Sequence, residues 1–518
     1  MSLEVPTSTF ALPAGLDPSA VVALLDDRFD LELDPPATVR STVVDTADRR
    51  LGAQGLELTL EGGRAAPTLV LRDGAGSPPV TAPVVPRRRW MAGDLPPGPL
   101  HDRVAPVVGV RALLPLAALR ADVRSLRVRN GDGKTVVRLR LTAHATLDDG
   151  DRPVPLESRL DVQGVLGYPR ARARVVAALT GDAGLAEASG TLADEAIAAA
   201  GGDPSGLRTK VRVRLAPHDR TGEAARRVLR DLAGMVEANL PGVLADDDTE
   251  FLHDLRVAVR RSRSVLRELR NAFPPEDLGR HRRALRWVQE VTGPTRDLDV
   301  QLLGWDALVA DVPADRRAAL DPVLAVLVDH REAALRALRR ALRSASHREA
   351  WASYRAFLDA DPGPGTVPPD AARPVAEVAG RRIRKVYARM VREGGAIDDT
   401  SPAADLHELR KRGKELRYLL ELFGSLWPDE AVRPLVRSLK GLQDVLGTHQ
   451  DREVQAAHLR GLATELAGRP GGPDALLALG VLVDRLESDQ REARARFAER
   501  FASFASPAQA GIVTGTFG

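Results

Sequence analysis

The sequence predicts an α+β N-terminal domain built as an antiparallel, barrel-like sheet, followed by an all-α domain of two pseudo-symmetric helical bundles. Three observations carry this. Up to about residue 216, apolar residues alternate in short segments, the period of half-buried strands. From Thr221 the period lengthens to that of amphipathic helices and holds nearly to the end. Within the helical part, a basic pattern led by histidine occurs twice, 154 residues apart.

In the first part, strands are expected at Leu56–Leu60, Thr68–Arg72, Leu126–Arg129, Val136–Leu141, Arg159–Val162 and Lys210–Leu215. Helices are expected at Pro18–Asp27 and from Pro169 to about Ala200. Asn130-Gly131-Asp132-Gly133 reads as a hairpin turn. The following Lys134-Thr135 makes Gly131–Thr135 look like the end of a phosphate-binding P-loop. Val128 stands where that motif needs its first glycine, and no helix follows, so the turn reading prevails.

In the second part, amphipathic segments are expected at 221–240, 249–272, 277–292, 297–310, 314–345, 347–358, 371–394, 403–424, 429–446, 449–467 and 474–504. The Pro/Gly-rich stretch Asp359–Pro374 interrupts them and marks the joint between two halves. The expected division is 1–216, then 217–505 in halves of about 217–358 and 371–505, then a frayed tail 506–518.

The first basic pattern is His253, Arg256, Arg260, Arg263, and the second is His407, Arg410, Lys414, Arg417. Both follow i, i+3, i+7, i+10, which places four side chains on one helix face. Leu252, Leu255, Val259, Leu266 and Leu269 set the core face of the first copy, and the basic stripe, continued by Arg267 and Arg270, borders it. Leu406, Leu409, Leu416, Leu420 and Phe423 do the same in the second, where Lys411 widens the stripe and Glu421 ends it. A basic face of this kind is commonly just solvated or salt-bridged at i,i+4, but few acidic partners stand at that spacing, and the repetition favours a shared anion-binding role.

The duplication extends further, since LRWVQEVTGPTRDLDVQ (285–301) aligns with LKGLQDVLGTHQDREVQ (439–455) at the same offset. Arg282, Arg283 and Arg286, with Arg437 and Lys440 in the second copy, add charge beside the stripes. A row of arginines can follow a phosphate chain, since each grips two oxygens. His253 and His407 read as phosphate donors near helix N-termini. Asp297, Asp299 and Asp451 read as N-caps or arginine orienters.

Composition sharpens this. The net charge is only +3, split as 23 basic and 25 acidic residues over 1–200 and 51 and 46 over 201–518, so an anion site must be local. With no cysteine there are no disulfides or thiolate metal sites, which fits a reducing cytoplasm. No signal-like N-terminus and no apolar run long enough for a membrane span occur. Aromatic residues make up 4%, too few for a base-stacking surface along the stripes, where Tyr418 is the nearest candidate. No metal-ligand spacing such as HExxH is present, and no cofactor or catalytic residue is expected.

The segments LHDLRVAVRRSRSVLREL, VTGPTRDLDV, LHELRKRGKELRYLLELF and LKGLQDVLGTHQD resemble the CHAD domain, in the expected order and over roughly 217–505. The resemblance implies two four-helix bundles around a basic, pore-like cavity, binding of inorganic polyphosphate, and association with polyphosphate granules and possible granule proteins. Its basic helix residues carry over to His253, Arg256, Arg260, Arg263, His407, Arg410, Lys414 and Arg417.

The first part resembles, more distantly, the CYTH or triphosphate tunnel metalloenzyme family. The matching residues are Asp45-Thr46-Ala47-Asp48, Leu51, Gly55 and Gly164–Tyr168. That family holds triphosphate and a divalent metal in a closed barrel and opens on an ExExK motif. Here the segment is Glu4-Val5-Pro6-Thr7-Ser8-Thr9-Phe10, without the lysine and with at most one glutamate, and the strand expected to carry arginines reads Leu56-Glu57-Leu58-Thr59-Leu60. Arg72, Arg127, Arg129, Arg138 and Arg140 remain as candidate anion contacts in a barrel kept as scaffold. The expected function is polyphosphate binding by the helical domain. The alternatives are a metal-dependent triphosphatase in the barrel and a nucleic-acid-binding protein.

Overall fold

A computed structural model describes residues 7–62, 67–74, 77–148, 153–310, 312–360 and 367–518, with the backbone alone at 315. Glu4, Val5 and Pro6 of the N-terminal motif lie outside the described residues, as do residues 361–366 of the joint. The chain divides into two compact units, Met1–Thr209 and Lys210–Gly518.

The first unit is an antiparallel sheet. Its strands are β1 (Thr7–Leu12), β2 (Leu31–Leu33), β3 (Ala37–Thr46), β4 (Leu56–Glu61), β5 (Thr68–Asp73), β6 (Val80–Pro83), β7 (Leu113–Arg129), β8 (Thr135–Leu147), β9 (Val154–Pro155) and β10 (Ser158–Gly164). They run in the order β1-β10-β8-β7-β3-β4-β5-β6, with β2 on β7 and β9 on β8. Helices α1 (Pro18–Asp26), α2 (Pro99–Val108), α3 (Pro169–Ala177) and α4 (Leu192–Ala199) complete it.

Alternation decides which side faces where. Phe10, Val128, Leu139 and Leu160 point to the outer face and pack under α1 and α3, while Leu58, Leu69 and Leu71 pack under α2. The opposite residues, such as Thr9, Glu57, Arg72, Arg140 and Asp161, point inward and line one cavity. In a flat sheet β4 and β10, four strands apart in the order, would stand about 19 Å from each other. Glu57 and Asp161 instead feel each other's charge, so the sheet is curled. Register shifts at Val43/Val44 and Arg120/Asp122 mark bulges, which increase local twist. Helix α4 plugs the inner face at one end, with Ala193, Ala196 and Ile197 against Val43, Leu119 and Ala121.

The turn at 130–133 is a hairpin: the Gly133 amide donates to the Asn130 carbonyl (2.8 Å), and the Asn130 side chain accepts from the Lys134 amide (2.9 Å). Gly133 has φ 71°, a conformation open to glycine.

Two expectations for the first part need correction. The helix expected from Pro169 to Ala200 is two helices. A wide turn over Ala178–Asp182 ends the first, Gly184 takes φ 63°, and Thr191 caps α4 by accepting from the Asp194 amide at 3.0 Å. Lys210–Leu215 alternates but is no strand. Among the described residues it has no ladder partner; the Asp231 carboxylate holds the Arg212 amide and Arg227 the Arg214 carbonyl.

The second unit is helical: α5 (Thr221–Ala245), α6 (Thr249–Glu268), α7 (Pro275–Val291), α8 (Gly293–Leu303), α9 (Trp305–Val309), α10 (Ala314–Arg317), α11 (Asp321–Leu342), α12 (Ala345–Asp359), α13 (Val375–Gly395), α14 (Ala403–Phe423), α15 (Asp429–Gly461), α16 (Ala463–Ala467), α17 (Gly472–Ala495), α18 (Phe497–Phe504) and α19 (Pro507–Thr516). Helices α5/α13, α6/α14 and α7/α15 each begin 154 residues apart, so the sequence repeat is a structural one. The repeats are tied by a reciprocal pair of backbone bonds: Thr221 donates to the Arg373 carbonyl (2.9 Å), and Val375 to the Asp219 carbonyl (2.8 Å). They also share a core, in which Leu298 and Val326 of the first pack with Leu459 and Leu482 of the second.

Two further corrections arise here. The break expected near Gly447 is absent, and α15 runs through it. Its counterpart Gly293 does separate α7 from α8, because Pro294 follows it and cannot donate to the preceding turn, whereas Thr448 continues the helix. The tail is not frayed. Ser506 caps α19, Phe517 is 1% exposed, and its ring meets Trp427 edge-on at 4.7 Å. Among the described residues no helix is long and apolar enough to cross a membrane.

Candidate functional site

Asp248 starts α6 by accepting from the amides of Glu250 (2.8 Å) and Phe251 (3.2 Å). The core residues foreseen on α6 and α14 are all buried. That orients the bordering basic stripes toward the crossing of these two helices. The helices run antiparallel across each other, since Arg261 pairs with Glu421 (2.7 Å) and Arg267 with Glu415 (3.2 Å). Between them Arg260 Nε donates to the Tyr418 hydroxyl at 3.2 Å.

Beside this crossing lies a cavity of about 700 Å³. Helix α6 lines it with Arg260, Arg263, Ser264 and Arg267, α7 with Gly279, Arg282, Arg283 and Arg286, and α14 with Lys411, Arg412, Lys414, Glu415 and Tyr418. Nine of these side chains are basic and one, Glu415, is acidic. Eight basic residues singled out in the sequence are thus brought together: Arg260, Arg263, Arg267, Arg282, Arg283, Arg286, Lys411 and Lys414.

The remaining ones stand elsewhere. Arg256 is turned away, donating from Nη1 to the Gln289 carbonyl (2.8 Å) and the Thr292 hydroxyl (2.6 Å). His407 bonds Gln450 through Nδ1, Arg410 pairs with Asp451 at 2.8 Å, and Arg417 with Glu421 at 2.6 Å. His253 is half-buried in the second turn of α6, and Arg437 and Lys440 are exposed on α15. Acidic partners prove more numerous than their i,i+4 spacing suggests, because several come from other helices.

Arg412 was not foreseen. Its counterpart in the first repeat is Ala258, so comparison of the repeats hides it; it lines the cavity from α14, with Glu415 (2.8 Å) and Glu393 of α13 (3.6 Å) as partners.

Concentrated cations shape their own ionisation. Burial, reinforced by Arg410 and Arg260, pushes the Lys414 ammonium down to about 8. Burial and the neighbouring Arg260 push Arg256 down to about 10. Burial raises the Asp297 carboxyl above its ordinary range, against the pull of Arg256. Asp297, Asp299 and Asp451 all lie inside helices, so the N-cap reading is wrong for them. Orienting arginine fits two of them: Asp299 accepts from Arg331 (2.9 Å), and Asp451 from Arg410. Among the described residues no three His, Cys, Asp or Glu side chains stand together as metal ligands.

The curled sheet encloses a second cavity of about 570 Å³. Arg72, Arg127, Arg138 and Arg140 line it, whereas Arg129 pairs with Glu32 and does not. Glu57, on the strand without arginines, faces inward as well. Burial raises its carboxyl despite the nearby Arg72 and Arg140.

The CHAD domain family model matches residues 227–460. Two curated Mycobacterium tuberculosis proteins, uncharacterized proteins Rv2226 (strain ATCC 25618 / H37Rv) and MT2285 (strain CDC 1551 / Oshkosh), are each 28% identical over 234 residues, 43% of this chain. The match spans 42% of the length of either relative. Among solved structures, the CHAD domain from the plant Ricinus communis is 23% identical, covering 58% of this chain and 96% of that one, with a TM-score of 0.49. PptA from Streptomyces chartreusis is 20% identical, covering 55% and 99%, with a TM-score of 0.42. The putative adenylyl cyclase HpAC1 from Hippeastrum is 16% identical, covering 38% and 96%, with a TM-score of 0.24. The duplicated basic helices and their family match coincide, and residues 227–460 are a CHAD domain.

Proposed function

We propose that the helical unit binds inorganic polyphosphate in the cavity walled by α6, α7 and α14. The observation that carries this is the concentration of nine basic side chains around about 700 Å³ with one carboxylate among them. A CHAD domain supports a polyphosphate-related role at the level of the family. Arginines on three helices present forked donors from three directions, which suits an anion repeating along a flexible chain. The ion pairs at the rim, such as Arg286–Glu290 and Lys411–Glu408, are exposed on both sides and are worth about 0–1 kcal/mol each, so a polyanion can displace them. Binding of this kind places the chain at polyphosphate granules in the cytoplasm, beside whatever granule proteins assemble there.

Nucleic acid fits the cavity less well. Among the described residues Tyr418 is the one aromatic side chain lining it, and single-strand binding relies on successive stacked rings.

The test is charge reversal on the wall. Arg263→Glu with Arg286→Glu is expected to weaken binding of long-chain polyphosphate at least about a hundredfold, taking about 1.5–3 kcal/mol per charged contact. Far-ultraviolet circular dichroism should stay unchanged. Undiminished affinity in a folded double variant would sink the proposal.

A further inference from the structure

The cavity of the first unit carries both signs of charge, six basic and five acidic side chains, unlike the mainly basic cavity of the helical unit. Most of its charges are already committed. Arg49 is held by Asp45 (3.0 Å) and Asp194 (2.7 Å), Arg72 by Glu61 (2.7 Å), Arg159 by Glu195 (3.1 Å), and Arg127 by Glu32 (3.3 Å) and Asp34. Four groups are left. Among the described residues no hydrogen bond or ion pair ties the guanidinium of Arg138 or Arg140, and no ion pair ties the carboxylate of Glu57 or Asp161.

The register places them. Asp161 stands across from Arg140 in the ladder of β10 and β8, and Gln163 across from Arg138. Thr9 of β1 lies beside Asp161 and donates its hydroxyl to it at 2.7 Å. Glu57 faces this group from β4, on the other wall, within electrostatic reach of both Arg140 and Asp161. The uncommitted charges are therefore two cations and two anions inside one enclosure. Burial in a curled sheet strengthens every charge interaction there relative to water.

We propose that this cavity binds a small zwitterion, a ligand carrying an ammonium group and an oxyanion on one short backbone. Its oxyanion meets Arg138 and Arg140, and its ammonium meets Glu57 and Asp161. A ligand of that kind satisfies four groups that otherwise lack a countercharge at bonding distance, whereas a triphosphate would set several negative charges beside two fixed carboxylates. Thr9 holds one Asp161 oxygen and leaves the other to accept an ammonium proton. The site is independent of the helical cavity.

The test is calorimetric titration of the full chain with phosphoethanolamine, and in parallel with tripolyphosphate. Saturable phosphoethanolamine binding is expected, weakened at least about tenfold by Arg140→Met and by Glu57→Gln. It should be untouched by Arg263→Glu with Arg286→Glu. If Glu57→Gln does not fold, Asp161→Asn takes its place, with the same weakening expected. No saturable binding of phosphoethanolamine overturns the proposal. So does an affinity that neither carboxamide variant changes. Tripolyphosphate binding that is lost in Arg140→Met but kept in Arg263→Glu with Arg286→Glu also overturns it, because it would make the cavity a polyanion site.

Discussion

Lys414 is the residue on which the basic cavity turns, because it is the one lining cation whose ammonium is driven down to about 8. Its half-buried amine is crowded by Arg410 and Arg260. The linkage has opposite signs for binding and for folding. A polyanion needs the ammonium, so affinity for polyphosphate should fall as pH rises through about 8, and Lys414→Arg should flatten that fall. In the unliganded chain the folded state releases this proton earlier than the unfolded one does, whose lysine titrates near 10.5. The contribution of Lys414 to stability therefore rises between about pH 8 and 10.5. Lys414→Met should accordingly stabilise the protein more at pH 7 than at pH 10, as read by thermal unfolding at both. An equal gain at the two pH values would contradict the buried-ammonium account. The sequence shows Lys414 as one stripe member among equals. Its distinction comes first from burial, then from Arg410 on its own helix and from Arg260, which arrives from a helix 154 residues away.

At the scale of the element, the two repeats treat one position differently. Gly447 sits inside α15 with open space where a Cβ would go. Gly447→Ala should then raise stability by about 0.5–1 kcal/mol in denaturant unfolding, through the helix propensity of alanine. The C-terminal helix poses the opposite case. A Cβ on Gly380 of α13 would meet the Phe517 carbonyl oxygen at 2.9 Å, and Phe517 fills the space against Trp427. Phe517→Ala should lower stability by about 3 kcal/mol, a buried aromatic truncated to a cavity. A loss below about 0.5 kcal/mol would mean that α19 is dispensable. The segment 506–518 gives little sign of this in sequence, since its anchor is one phenylalanine, the penultimate residue. Helix periods of α5, α6, α13 and α14 were legible because each carries a full apolar stripe. Strands β1 and β6 and helix α2 were not, because short or Pro-containing runs lack enough periods to tell strand, helix and loop apart.

For the whole molecule, the repeat makes the cavity a composite. Two stripes meet at one antiparallel crossing, and α7 closes the side. If the chain of a polyphosphate runs along this wall, its affinity should fall with salt, and each arginine-to-alanine change that removes a phosphate contact should make log K against log salt shallower by about 0.7. A slope unchanged in Arg283→Ala would take that residue out of the contact. The sequence by itself determined the α+β-then-α order, the duplication, the buried faces of α6 and α14 and eight of the cavity's cations, because helical and strand periods and a 154-residue offset are properties of the chain read locally. Tertiary structure alone decided the rest. It turned Arg256 to the Gln289 carbonyl, gave Arg410 to Asp451, brought in Arg412, and folded Glu57 and Asp161 inward to face Arg140. Those outcomes depend on which side chains from distant segments share a space, and the strength of a charge depends on that neighbourhood and on its distance from water.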